Sequence, residues 1–204
     1  MKRVSVLGLS ISLILLLSVF GFGCKKAEQA KEEAKPAAKV EAPAKGVTVV
    51  EFTFEKGKQS WFNRAKIKMS QDKARKHEGQ ASLKIEGTAS AGLWNFAGSQ
   101  KFDLPSGKRL RFTGWMLVDS FSSKAPDALL QFNVGIYTKG KWLKNAPTPP
   151  YVMAKKGEWQ MLSVEVEAPS EADLICSITV DKRPMDKDVT ATIYVDDLVL
   201  EKMN

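Results

Sequence analysis

From Val47 to its end the chain repeats every two residues, and that period limits what it can fold into. Val50, Phe52 and Phe54 alternate with Glu51, Thr53 and Glu55. Ala65, Ile67 and Met69 alternate with Arg64, Lys66 and Lys68, and Ala81, Leu83 and Ile85 with Ser82, Lys84 and Glu86. The pattern recurs in Leu110 and Phe112 between Arg109 and Arg111, in Leu130, Phe132, Val134 and Ile136 between Gln131, Asn133 and Tyr137, and in Leu162, Val164 and Val166 between Ser163, Glu165 and Glu167. Side chains on a strand point alternately to opposite faces, so each run predicts a strand with one buried face. Ile193 to Leu200 is apolar on both faces apart from Asp196 and Asp197, which predicts an interior strand. Turn-forming residues separate the runs: Lys56-Gly57, Pro105-Ser106-Gly107, Lys139-Gly140, Lys156-Gly157 and Ala168-Pro169. No stretch carries an apolar stripe of helical period. Roughly eight to ten short strands in one domain of ordinary size predict an all-β fold, a two-sheet antiparallel β-sandwich of jelly-roll type.

The N-terminal residues follow different rules. Lys2 and Arg3 precede an uncharged run from Val4 to Gly23, and Cys24 with Lys25 and Lys26 follows it. A short basic start, an apolar stretch and small residues before a cut form the layout of an export signal. Gly-Phe-Gly-Cys24 resembles the cleavage box of bacterial lipoproteins, although Gly21 stands where that box carries Leu or Val. The resemblance implies a signal peptide over 1–23 and lipidation of Cys24. One acyl chain anchors only marginally, so the stable tether of that family implies more than one. An uncleaved N-terminal helix is the alternative, because about 20 apolar residues can span a bilayer. Either arrangement places the remainder outside the cytoplasm, and Lys25 after Cys24 fits sorting to the outer membrane. Residues 24–46 form a linker of Ala, Lys, Glu and Pro. As a flexible coil it would span about 25 Å. The globular domain is then 47–204.

Composition excludes several function classes. Cys24 and Cys176 are the only cysteines, so a lipidated Cys24 leaves no disulfide framework and no cysteine-based metal site. Cys176 sits in Leu174-Ile175-Cys176-Ser177-Ile178, as a small apolar residue would. His77 is the only histidine, so a Ser-His-Asp triad or a two-histidine zinc site would have to include it or is excluded. The net charge is +8, and eight Lys/Arg against four Asp/Glu lie in residues 1–47, which leaves +4 for the domain. That balance is too mild to indicate nucleic-acid binding.

Three segments carry a family resemblance in their order. Phe54-Glu55-Lys56-Gly57 with Trp61 comes first, then Ala74-Arg75-Lys76-His77-Glu78-Gly79-Gln80-Ala81-Ser82-Leu83, then Ile193-Tyr194-Val195-Asp196-Asp197-Leu198. Gly107 to Trp115 and Gly157-Glu158-Trp159 fit between them. The set resembles the jelly-roll carbohydrate-binding modules attached to xylanases and cellulases, within the galactose-binding-like group, over residues 48–204. It implies non-catalytic binding of a polysaccharide or other glycan. It also implies a structural calcium between the first and last strands, near the turn at His77, for which Asp196 with Glu51 or Glu55 would supply oxygen ligands. Asp side chains bonding loop amides are the equal alternative there.

Sugar rings present flat C–H faces on which aromatic rings stack, while polar groups read the hydroxyls. Trp94 lies in Ala91-Gly92-Leu93-Trp94-Asn95, a small-residue stretch unsuited to deep core, and Trp94 with Asn95 matches a pair that lines the groove in the resembled modules. The alternative is a Trp sealing the sandwich edge. A hairpin with its loop at Lys139-Gly140 or over Thr138 to Lys141 sets Tyr137 across from Trp142, on the face that carries Gln131 and Asn133. That face suits a glycan, or the pair simply stabilises a hairpin. Trp61, Trp115 and Trp159 are expected in the core, Trp115 by way of a bulge at Gly114. Arg64, Lys66 and Lys68 read as a basic strand face that protects an edge or attracts acidic polysaccharide or lipid headgroups. Catalysis by a carboxylate pair is the weakest reading, because Glu165 and Glu167 flank a turn and look solvated. The sequence therefore predicts a membrane-tethered glycan-binding domain of the cell envelope. A scaffold domain for an envelope protein partner is the alternative.

Overall fold

The computed structural model describes residues 46–64 and 66–204. The signal peptide, Cys24, the linker up to residue 45 and Ala65 lie outside the described residues.

Twelve strands run through the described chain: β1 (Val47–Phe52), β2 (Trp61–Asn63), β3 (Ile67–Asp72), β4 (Ser82–Ala89), β5 (Asn95–Ser99), β6 (Phe102–Asp103), β7 (Arg109–Ser123), β8 (Leu129–Thr138), β9 (Lys141–Pro147), β10 (Gln160–Glu167), β11 (Leu174–Arg183) and β12 (Val189–Lys202). They form two six-stranded sheets. One has the order β10-β7-β12-β4-β3 with β1 also on β12, and the other β2-β5-β11-β8-β9 with β6 also on β11. All pairings are antiparallel. This is the jelly-roll sandwich that the two-residue period predicts, with β12 interior as its double-sided apolarity requires. The strand number exceeds the expected eight to ten because β2 and β6 have three and two residues, too few to show a period.

The core lies between the inner faces. Leu110, Phe112 and Met116 of β7 and Ile193 and Val195 of β12 meet Leu130, Phe132, Val134 and Ile136 of β8 and Cys176, Ile178 and Val180 of β11. Phe112 and Phe132 touch edge to face across the sheets, with ring centroids 5.3 Å apart. Each such side chain contributes about 1.5–3 kcal/mol on burial. Cys176 packs as an apolar residue, and burial pushes its thiol up to about 12.

Three expectations fail for local reasons. Trp115 does not turn inward, because Gly114 occupies the inward position in phase with Phe112. A Cβ at Gly114 would meet Phe112 and Phe132 ring carbons at 3.0 and 3.1 Å. Trp115 instead stacks on the His77 ring at 3.7 Å on the outer face of the first sheet, and half-buried Trp159 meets the same ring edge-on at 5.8 Å. Of the three tryptophans assigned to the core, only Trp61 joins it. The basic face of Arg64, Lys66 and Lys68 does not form either. Lys66 adopts φ +66° in a turn, and β3 starts only at Ile67, so Arg64 belongs to the end of β2 on the opposite sheet.

Candidate functional site

The site begins with the phase of β8. Leu130, Phe132, Val134 and Ile136 point into the core, so Gln131, Asn133, Gly135 and Tyr137 point outward. Lys139 and Gly140 link β8 to β9 with φ of +39° and +82°, the two-residue hairpin geometry that suits strand twist. The pairing sets Tyr137 opposite Trp142 and Gly135 opposite Asn145. On the other side of β8, β11 sets Thr179 opposite Asn133 and Asp181 opposite Gln131. Asn95 of β5 stands beyond Asp181. Trp94 precedes β5 on a loop held by backbone bonds from Gly92 N to the Met185 carbonyl at 3.0 Å and from Lys182 N to the Trp94 carbonyl at 2.9 Å.

These elements enclose an open cleft of about 460 Å³ on the outer face of the second sheet. Trp94, Asn95, Asn133, Tyr137 and Trp142 all line it. Gln131 does not: it faces the same way one row further along and is buried. Trp94 and Trp142 are 53% and 56% exposed, so neither seals the core. Arg64, Asn145, Thr179 and Asp181 complete the lining, and the sequence reading assigned none of them to it.

The polar groups are held in place before any ligand arrives. Asn145 Oδ1 accepts from Trp142 Nε1 and from Asn133 Nδ2, both at 3.2 Å, which fixes the indole and the amide together. Arg64 Nε donates to Asn95 Oδ1 at 2.9 Å. Thr179 Oγ1 donates to Asp181 Oδ1 at 2.6 Å. Burial pushes the Asp181 carboxyl above the usual carboxylate range, against the opposing pull of Thr179 and of Arg183, whose Nη2 lies 3.4 Å away. Asn133 Oδ1 is buried without a partner. An acceptor left in that state costs about 1–3 kcal/mol.

The aromatic rings have their own supports. A Cβ at Gly135 would lie 2.9 Å from the Tyr137 hydroxyl and 3.1 Å from a ring carbon, so the tyrosine ring rests where this residue has no side chain. Lys101 Nζ sits 4.1 Å from the Tyr137 ring centroid, and the Arg183 guanidinium 4.7 Å from that of Trp94. One carboxylate, Asp181, lines the cleft, where glycoside hydrolysis by acid and nucleophile or base needs two. Glu165 lies on the other sheet, where Arg111 and Arg109 hold its carboxyl below the usual range.

The carboxylates expected at a calcium site are dispersed in their bonding. Asp196 Oδ2 accepts from His77 N and Oδ1 from Asp197 N, each at 3.0 Å. Glu55 Oε1 accepts from Gln80 N at 2.8 Å, and Glu51 is exposed on β1 opposite Val199. Among the described residues no three His, Cys, Asp or Glu side chains gather as a metal cluster.

No family model matches the chain, and no curated protein does. Solved structures do. The CBM22-1 xylan-binding domain of Paenibacillus barcinonensis Xyn10C matches with a TM-score of 0.57 over 77% of this chain and 95% of its own, at 16% identity. The chain has the jelly-roll fold of that domain. The CBM22-1–GH10 modules of Clostridium thermocellum endo-1,4-beta-D-xylanase 10B, complexed with xylohexaose, match with a TM-score of 0.56 at 18% identity, over 78% of this chain and 29% of theirs. The C-terminal family 22 carbohydrate-binding module of Clostridium thermocellum Xyn10B matches with a TM-score of 0.53 at 16% identity, over 76% and 92%. At such identities the likeness is one of fold, and the cleft chemistry of this chain has to be read from its own residues.

Proposed function

We propose that the domain binds a polysaccharide or other glycan without chemistry, in the cleft between Trp94 and the Tyr137–Trp142 pair. The observation that carries this reading is the exposure of the Trp94 and Trp142 rings in one cleft with the Asn95, Asn133 and Asn145 amides, which Arg64, Trp142 and one another hold in place. Aromatic faces favour sugar C–H surfaces, and the amides beside them suit sugar hydroxyls. A grooved, amide-rich surface suits a sugar chain better than the flat apolar patch of a protein-docking face. The xylan-binding of the similar modules makes xylan the first polymer to try. Calcium on Asp196 with Glu51 or Glu55 belongs to the same proposal, as an accessory to the fold and not to the cleft. So does the tether: a lipid on Cys24 would hold the domain at an envelope membrane, the outer one by the residue at Lys25, with the linker as spacer.

The test is retention of the full chain on soluble and insoluble polysaccharides, xylan included, beside Trp94→Ala and Tyr137→Ala. Each substitution removes one stacking face and lowers affinity about tenfold or more, equivalent to about 1.4 kcal/mol, with the unfolding midpoint unchanged. Failure of every polymer to retain the wild type overturns the reading in favour of a protein partner. In cell fractionation, Cys24→Ser releases the chain from membranes if the tether is real.

A further inference from the structure

We infer that the glycan this cleft takes is anionic, its sugars bearing carboxylate or sulfate groups. The inference rests on the glycan-binding reading and specifies its ligand. Three cations surround the stacking surfaces. Arg64 lines the cleft itself, Lys101 lies against the Tyr137 ring, and Arg183 lies against the Trp94 ring. Against them stands a single cleft carboxylate, Asp181, which is buried and already faces Arg183. Among the described residues, neither Arg64 nor Lys101 has a carboxylate within ion-pair distance.

Arg64 is positioned as a receptor would position it. Its Nε is spent on Asn95 Oδ1 at 2.9 Å, which orients the guanidinium plane. The terminal nitrogens keep their donors, in the forked arrangement that matches a planar carboxylate or a sulfate. Asn95 is itself buried, so the anchor is firm. The two ends of the cleft are marked by the aromatic groups with which Lys101 and Arg183 associate. A sugar stacked on either ring therefore presents its substituents beside a cation. A neutral glycan would gain hydrogen bonds from these groups but no long-range attraction, whereas an acidic one would be drawn in and held, the more so at low salt.

The test compares the full chain on three matched polymers: a glucuronate-bearing xylan, the same xylan after reduction of its carboxyl groups to alcohols, and a sulfated polysaccharide such as dextran sulfate. The glucuronate-bearing polymer should bind about tenfold more tightly than its reduced form in low-salt buffer, with the ratio falling as salt is added. Arg64→Gln and Lys101→Gln, both at exposed positions, should each shrink that ratio, and the double variant, which keeps only the Asp181-paired Arg183, should bring it closest to one. Trp94→Ala should weaken both xylans alike. Dextran sulfate binding that depends on Arg64 identifies sulfate as an equally good anion, and its absence confines the site to carboxylates; both fit the proposal if a ratio exists for either polymer. Equal binding of native and reduced xylan, together with no Arg64-dependent binding of dextran sulfate, overturns the inference while leaving a neutral-glycan module. Failure of all three polymers, alongside the wider polysaccharide panel, overturns the underlying reading instead.

Discussion

At the scale of single residues, the cleft depends as much on what is missing as on what is present. Gly135 lies under Tyr137, and an added methyl would press on the tyrosine hydroxyl at 2.9 Å. That hydroxyl is the far end of a rotatable side chain, so the ring swings aside at little cost to the fold. Gly135→Ala is therefore expected to change stability by less than about 1 kcal/mol while lowering glycan affinity several-fold. In a Tyr137→Ala background the same change should have no further effect on binding. Paired titrations of the four proteins measure that coupling, and additive losses would show that Gly135 acts elsewhere. Trp94 was legible in the sequence because small residues flank it and a core tryptophan seldom has such neighbours. Arg64 was not. Its phase was read from an alternation that continues through Lys66, and the left-handed turn at Lys66 breaks that alternation. Asp181 was equally hidden, since it becomes a cleft residue only through its neighbours across β8 and β5.

At the scale of elements, β12 shows how a polar pair survives in an interior strand. Its pairing with β7 slips between Asp196 and Val199, and Asp197 takes φ +47°. The irregularity frees the Asp197 amide to meet the Asp196 carboxylate, whose other oxygen accepts from the His77 amide of the loop before β4, and it sets Asp197 Oδ2 2.8 Å from His77 Nδ1. Burial, the largest influence, pushes Asp196 up to about 6, with the His77, Asp197 and Glu78 amides pulling the other way. Its folded value thus lies above the ordinary carboxylate value of 3.8. The folded state holds a proton there that the unfolded state releases, so this group's stabilising contribution is full below about pH 4 and is lost as pH rises through about 6. A calcium ion on Asp196 would hold the carboxylate ionised and reverse that slope. Urea midpoints of wild type and Asp196→Asn across this window, in chelator and then in calcium, separate the two cases. The wild type should lose more stability than the variant on going from about pH 4 to 6 in chelator. A difference of the opposite sign there refutes the assignment, and a reversal seen only with calcium establishes the metal. The sequence showed that Asp196 needed a partner but left calcium and loop amides open, because neither the bulge at Asp197 nor the approach of the His77 loop has a signature in residue type.

At the scale of the whole molecule, the two-residue period separates stability from recognition along a single strand. In β8 the even-numbered residues from Leu130 to Ile136 build the core, and of the odd-numbered ones Asn133 and Tyr137 line the cleft. The alternation therefore disclosed most of the fold and the Asn133–Tyr137 face together. It could not disclose which strands pair, so Thr179, Asn145 and Arg64, brought in from three other parts of the chain, escaped notice. The same separation makes a prediction. Phe132 sits between the sheets against Phe112, so Phe132→Ala leaves a cavity that neither sheet can fill and should cost about 3–5 kcal/mol of unfolding free energy. Trp94 is the larger ring, but its exposure places it outside that core, and Trp94→Ala should shift unfolding by no more than about 0.5 kcal/mol. Chemical denaturation of both variants beside a binding titration checks the contrast. Phe132→Ala should still bind wherever it remains folded, because Asn133 and Tyr137 keep their strand positions, whereas Trp94→Ala should stay folded and lose affinity. If Trp94→Ala destabilised the domain as much as Phe132→Ala, the tryptophan would be a structural seal for the sandwich edge, and the cleft would lose one of its two stacking walls as a recognition device.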